Sequence, residues 1–107
     1  LMDFPARLSP MAKQREDDPH TAARVELYIA GLELANGFSE QNDPRRQRRT
    51  LMAERRHRPI GQRYPLDEGF LDSLHRMPDA AGMALGIDRL AMLITSSSSI
   101  GRVLAFP

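Results

Sequence analysis

Apolar and polar residues alternate from Ala23 onward. Val25, Leu27 and Ile29 are interleaved with Arg24, Glu26 and Tyr28, and after Ala30-Gly31 the alternation resumes with Leu32 and Leu34 against Glu33 and Ala35. A period of two marks a strand, and two such runs around a short glycine-containing step read as a β-hairpin. Pairing about Ala30-Gly31 sets Tyr28 opposite Glu33, so Glu26, Tyr28 and Glu33 share one face and Val25, Leu27, Leu32 and Leu34 the other. Asn36, Phe38 and Glu40 follow on the opposite parity to Glu33. They join its face only if the strand bulges, and Ala35 or Gly37 is the expected place.

The flanking segments carry other signals. Leu1 to Met11 holds Pro5, Pro10 and the alternating Phe4, Ala6 and Leu8, which predicts a short strand at a sheet edge or bulge, followed by a polar loop from Lys13 to Pro19. Asp43-Pro44 is a helix start with Asp as cap and Pro at the first position, and Arg45 to about His57 predicts an exposed helix. Pro59 to Pro65 is a connector. Asp67 can cap a short helix striped by Phe70, Leu71 and Leu74, which Met77-Pro78-Asp79 ends. A strand of small residues from Gly82 to Gly86, a helix from Asp88 to about Thr95, a serine loop and a last strand at Val103 to Phe106 complete an α+β fold: an antiparallel sheet flanked by two or three helices on one face.

A chain of 107 residues with 41% apolar content and a net charge of +1 predicts a single domain over 1–107 with a modest core. It has no apolar run of the roughly 18 residues that span a bilayer and no charged start leading into an apolar signal core, which predicts a cytoplasmic protein with no membrane partner. With no cysteine, and only His20, His57 and His75, any metal would be held by carboxylates. The near-neutral total conceals a skew: fourteen of the fifteen cationic residues are Arg, and seven of these lie between Arg45 and Arg58.

Four groups of residues carry candidate chemistry. Glu26 and Glu33 on one strand face suit Mg²⁺ shared with phosphate oxygens, or are wet residues of a half-exposed hairpin. Asn36, Phe38 and Glu40 offer an amide, an aromatic wall and a counter-charge for an ammonium substrate, although Asn36-Gly37 is equally a turn signature. Gly82, Ala84 and Gly86 leave one strand face nearly bare against a flat ligand, or simply permit close packing. Arg89 then stands at the start of a helix, where an anion is favoured, and Asp88 can be its structural partner while a phosphate is its functional one. The arginine-rich helix is a solvated face or a surface for RNA or an acidic protein.

Taken together, three blocks resemble the lysine-specific branch of the class II aminoacyl-tRNA synthetases. They are Asp3-Phe4-Pro5 with Ser9-Pro10-Met11-Ala12, Glu26 to Glu40 with Asn42-Asp43, and Gly82 to Pro107, the last resembling motif 3. The resemblance implies the C-terminal segment of a class II catalytic domain, with ATP and Mg²⁺ as cofactors. Glu26 and Glu33 are then the metal and ATP ligands, Arg89 the catalytic contact to the terminal phosphate, and Asn36, Phe38, Glu40, Gly82, Ala84 and Gly86 the lysine pocket.

Within that branch, Ala84 in Gly-Met-Ala-Leu-Gly, Gly31 to Asn36 and Met77-Pro78-Asp79 resemble the elongation factor P lysine ligase, which implies adenylation of lysine or β-lysine and transfer to a lysine of elongation factor P. Ser39 and Ser9-Pro10 resemble the lysyl-tRNA synthetases, with tRNA(Lys) as the alternative acceptor. A third reading is a non-catalytic paralogue that binds a nucleotide, an amino acid or a partner. Nothing in the chain resembles motif 1, the dimer element, or motif 2, whose arginine grips the α-phosphate. The expectation is therefore that this polypeptide alone forms no adenylate, and that a homodimer, as in the family, or pairing of a free strand edge accounts for any self-association.

Overall fold

The computed structural model describes residues 1–106. Four antiparallel strands, β1 (Met2–Pro5), β2 (Thr21–Ile29), β3 (Leu32–Ser39) and β4 (Ala81–Leu85), lie in the order β1-β2-β3-β4. Three helices accompany them: α1 (Pro44–His57), α2 (Glu68–Leu74) and α3 (Ile87–Ile94). This is the expected α+β class. Among the described residues, no helix is long and apolar enough to cross a membrane.

The hairpin turns where the alternation breaks. Ala30 (φ 50°) and Gly31 (φ 80°) both adopt left-handed backbone, the two-residue turn whose twist matches that of the flanking strands. Tyr28 pairs with Glu33 as expected, but Leu27 pairs with Ala35, leaving Leu34 as the extra residue. The bulge therefore sits one residue before Ala35, not at Ala35 or Gly37. Released from the β2 ladder, the Leu34 carbonyl accepts the Gly86 N–H at 2.8 Å, tying the exit of β4 to the hairpin.

Two expected strand segments are not formed. β1 is an irregular edge strand, as its prolines predict, but it stops at Pro5. Ala6–Leu8 is a 3-10 turn, because the Ala6 N–H turns to the His20 carbonyl (2.8 Å) and the Ser9 N–H closes onto the Ala6 carbonyl (3.1 Å). At the other end a 3-10 turn over Ile100–Arg102 precedes irregular backbone at 103–106, where none of the described strands supplies a ladder. Pro107, the last residue of the motif 3 resemblance, lies outside the described residues.

Both helix caps form as predicted. Asp43 Oδ1 accepts from the Arg45 (2.8 Å) and Arg46 (3.2 Å) amides, and Asp67 Oδ1 accepts from the Phe70 amide at 2.8 Å. The Arg46 amide above all, then the Arg45 amide and the charges of Arg49 and Arg46, outweighs partial desolvation and holds the Asp43 carboxyl below the usual carboxylate range. A depressed carboxyl stabilises the fold fully above its unfolded pKa and loses that contribution as pH falls through its folded value. Asp43→Ala is expected to cost about 1 kcal/mol at neutral pH. In urea titrations the gap to the parent should narrow as pH drops below about 4, because the charge-dependent part of the cap is lost, and a gap with no pH dependence would exclude the carboxylate charge as a contributor.

The core is small: Ala12, Ala22, Leu34, Ala35, Leu71, Leu74 and Met92 are its buried apolar residues. Leu27, Ile29, Met83 and Leu85 remain exposed, so much of the apolar side of the hairpin and β4 is uncovered. The accessible surface of 7842 Å² compares with about 6,000 Å² for a compact monomer of 12.1 kDa. The radius of gyration, 16.9 Å, compares with about 13 Å. Both excesses mark a sheet with room for further packing.

Candidate functional site

Register assembles the face on which the candidate residues meet. Glu26 lies opposite Asn36, and Asn36 opposite Ala84; in the adjacent row Arg24 lies opposite Phe38, and Phe38 opposite Gly82. Directly opposed residues project to the same side of a sheet. The Leu34 bulge restores the parity that a regular strand would break, so Tyr28 and Glu33 join the same side, and Gly86 continues the row of Gly82 and Ala84. Glu40 follows β3 and pairs onward through its N–H to the Ala80 carbonyl (2.9 Å). Its Oε1 lies 3.3 Å from where a Cβ on Gly82 would stand. Eight candidate positions on three strands and their extensions thus share one surface.

The organiser of this surface is a residue that the sequence reading passed over. Arg24 Nε donates to Asn36 Oδ1 (3.1 Å), its Nη1 reaches the Leu8 carbonyl and Ser9 Oγ (3.3 Å each), and its Nη2 pairs with Glu26 Oε1. The guanidinium also sits 4.6 Å from the Phe4 ring centroid, within cation–π range. Because the Asn36 oxygen is occupied by Arg24, the amide presents its N–H₂ group as the remaining donor. The available signal was Arg24 itself, a charge two residues from Glu26 on the same strand face.

Glu26 is 7% exposed, and its second oxygen, Oε2, accepts from the Tyr28 hydroxyl at 2.8 Å. That hydrogen bond, with lesser contributions from desolvation and the charges of Glu26 and Glu33, pushes the Tyr28 phenol above its usual range. Arg89 pairs with Glu33 rather than with Asp88: its Nη1 donates to the Glu33 carbonyl (2.6 Å) and lies 3.7 Å from Glu33 Oε2. Half-exposed, it stands in the first turn of α3, whose amino end has no side-chain cap.

The donor set fits a hard cation in part. Glu26 and Glu33 project to one face, where phosphate oxygens and water would complete a Mg²⁺ shell, but both Glu26 oxygens are already engaged, by Arg24 and Tyr28, so a metal there would have to share or displace those contacts. Among the described residues no cluster of three or more His, Cys, Asp or Glu converges, so an all-protein cage is not available. A cavity of about 130 Å³ opens beside Asn36 and Phe38, walled by Arg24 and Ser9 to Ala12. The larger cleft, about 630 Å³, lies elsewhere, between Pro5 to His20 and α1, and contains none of the candidate residues.

Comparison with known proteins gives the family. The sequence pattern of the family described as tRNA synthetases class II (D, K and N) matches residues 1–107. A Lysine–tRNA ligase of Anaeromyxobacter sp. (strain K) is 48% identical over 110 residues, covering 100% of this chain and 21% of the relative. Lysine–tRNA ligases of Moorella thermoacetica and Gloeobacter violaceus are each 46% identical, covering 100% of this chain and 22% of theirs. The chain spans about a fifth of the length of these relatives.

Proposed function

This chain belongs to the class II tRNA synthetases of the D, K and N group, and from that premise we propose that it forms the amino-acid and nucleotide half-site of an ATP-dependent lysine ligase charging tRNA(Lys). The observation that carries the reading is the single sheet face gathering Glu26, Glu33, Asn36, Phe38, Gly82, Ala84 and Gly86, with Glu40 and Arg89 at its margins. Segment 1–107 then acts as the C-terminal part of a catalytic domain, and the uncovered apolar face of its sheet supports packing against the remainder. The names of the relatives favour the tRNA acceptor over elongation factor P. The elongation factor P reading, with β-lysine, keeps one observation: the Ala84 methyl stands beside Asn36, where a glycine would leave room.

In this assignment Glu40 is the counter-charge for the substrate ammonium, Phe38 is the wall along its methylenes, and the Asn36 N–H₂ group, held by Arg24, is a donor to a substrate oxygen. Activation joins a carboxylate oxygen of lysine to the α-phosphorus of ATP and breaks the bond to the β-phosphate oxygen, releasing pyrophosphate. The acyl group then passes to a tRNA hydroxyl and AMP leaves. The work is positioning and charge neutralisation, which needs no side-chain nucleophile. Mg²⁺ held at Glu26 and Glu33 would neutralise phosphate charge. Arg89, beside the uncapped start of α3, directs its guanidinium to the terminal phosphate once Glu33 releases it.

The test is lysine-dependent pyrophosphate release. A polypeptide joining this segment to the rest of a class II catalytic domain should show it, and the 107-residue chain alone should not. Glu40→Gln in that polypeptide is expected to raise KM for lysine about tenfold, the effect of losing one modest charge-assisted contact, with little change for ATP. Turnover by the isolated chain would sink the half-site assignment, and an unchanged lysine KM would remove Glu40 from it.

A further inference from the structure

At the carboxyl end of α1 a second group of charges gathers, away from the sheet face. Arg63 follows the 3-10 turn over Ile60–Gln62 and folds back onto the helix: its Nε donates to the Arg58 carbonyl (3.0 Å) and its Nη2 to the Arg56 carbonyl (3.2 Å). Between Arg63 and the helix lies a cleft of about 180 Å³ lined by Met52, Arg55, Arg56 and Arg63. Arg55 Nε is buried and has no hydrogen-bond partner. Among the described residues, Arg55, Arg56 and Arg63 make no ion pair, whereas Arg15, Arg24, Arg48 and Arg89 each pair with a carboxylate.

Three guanidinium groups around one cleft repel one another, and a buried orphan donor adds a desolvation cost. The carboxyl end of a helix offsets some positive charge through its carbonyls, but here Arg63 already occupies two of them. A buried unpaired donor points to a missing partner, and the partner for this set is an anion. Guanidinium forks match carboxylates and phosphates alike. Three of them meeting from different sides suit a tetrahedral, multiply charged oxyanion better than a flat, singly charged carboxylate. We propose that the cleft between α1 and Arg63 binds a phosphate-type oxyanion through Arg55, Arg56 and Arg63, with Met52 as its apolar floor.

The site stands apart from the sheet face, so its fate and that of the ligase reading are separable. The phosphate chemistry has two sources, free phosphate or a phosphodiester of an RNA backbone, and the experiment addresses both. The Nε–H resonances of the ¹⁵N-labelled full chain are followed while inorganic phosphate, a short oligouridylate or chloride is added at matched ionic strength. The expected result is a saturable shift of the Arg55 and Arg63 signals with phosphate or the oligonucleotide and none with chloride. The tighter of the two binders identifies the source.

Arg55→Met and Arg63→Met should each weaken binding about tenfold or more, while Arg45→Met, on the first turn of α1, should not. Arg63→Met is the control for folding, since that side chain is exposed and the backbone amide spectrum reports whether the fold is kept. A response to phosphate no different from chloride, or one weakened equally by Arg45→Met, overturns the proposal.

Discussion

Replacing Arg24 by methionine is expected to destabilise the chain by about 3–5 kcal/mol, a large share of the total stability of a domain this size. The aliphatic stem keeps its length, but the guanidinium disappears, and with it the charge facing Glu26, the cation–π contact to Phe4 and the hydrogen bonds to Asn36, Leu8 and Ser9. Glu26 is then left with one hydrogen bond, from Tyr28, in a setting where its side chain is 8% exposed. Removing one member of a buried pair leaves the other carrying its full desolvation penalty, which is why the expected loss far exceeds that of a surface ion pair. The double variant Arg24→Met/Glu26→Gln should recover much of the loss, because a neutral amide needs no counter-charge. Urea unfolding of the four species of this cycle measures the coupling directly. A single variant within about 1 kcal/mol of the parent would show that Glu26 finds its compensation elsewhere.

Arg24 also explains why the site was only partly legible. Alternation identifies which residues share a face, and it correctly grouped Glu26, Tyr28 and Glu33. The Ala30-Gly31 turn and the Asp43 and Asp67 caps were readable because each depends on local backbone chemistry. The position of the bulge was not. Leu34 was selected by its burial and by the Gly86 N–H that its carbonyl accepts from β4, a contact between residues 52 positions apart. The strand expected at Val103 to Phe106 failed for the converse reason, since a strand exists only where another one pairs with it. Period-two patterning likewise placed Leu27 on the apolar side of the hairpin but carried no information about whether anything covers it, and Leu27 is 47% exposed.

The same reasoning gives Arg89 its partner. Asp88 is adjacent in sequence, but neighbouring residues on a helix point in different directions. Glu33 reaches Arg89 because the hairpin turn and the bulge bring the start of β3 to the start of α3. Under the proposed assignment, a phosphate competing for Arg89 would displace the carboxylate proposed for the metal, and phosphate entry and metal entry at this corner would be linked through one ion pair.

Gly37→Ala is expected to cost about 3 kcal/mol, at the upper end for overpacking. A Cβ at this position would stand 2.9 Å from the Gly82 carbonyl oxygen and 3.1 Å from Met83 Cβ, both on β4. Neither can yield as the tip of a flexible side chain would, so the relief available is separation of β3 from β4. That separation would remove Gly82 and Ala84 from beside Phe38 and Asn36, and would loosen the Gly86–Leu34 bond that sets the start of α3. Hydrogen exchange should show the β3–β4 amides opening first, ahead of the β2–β3 ladder, together with a drop in the urea midpoint. Gly61→Ala, where an added Cβ meets nothing within 4 Å, is the matched control and should leave both readouts unchanged. If Gly37→Ala behaves like that control, the two strands are not held at the close spacing on which the candidate surface depends, and the bare face of β4 loses its claim to be the floor of a pocket.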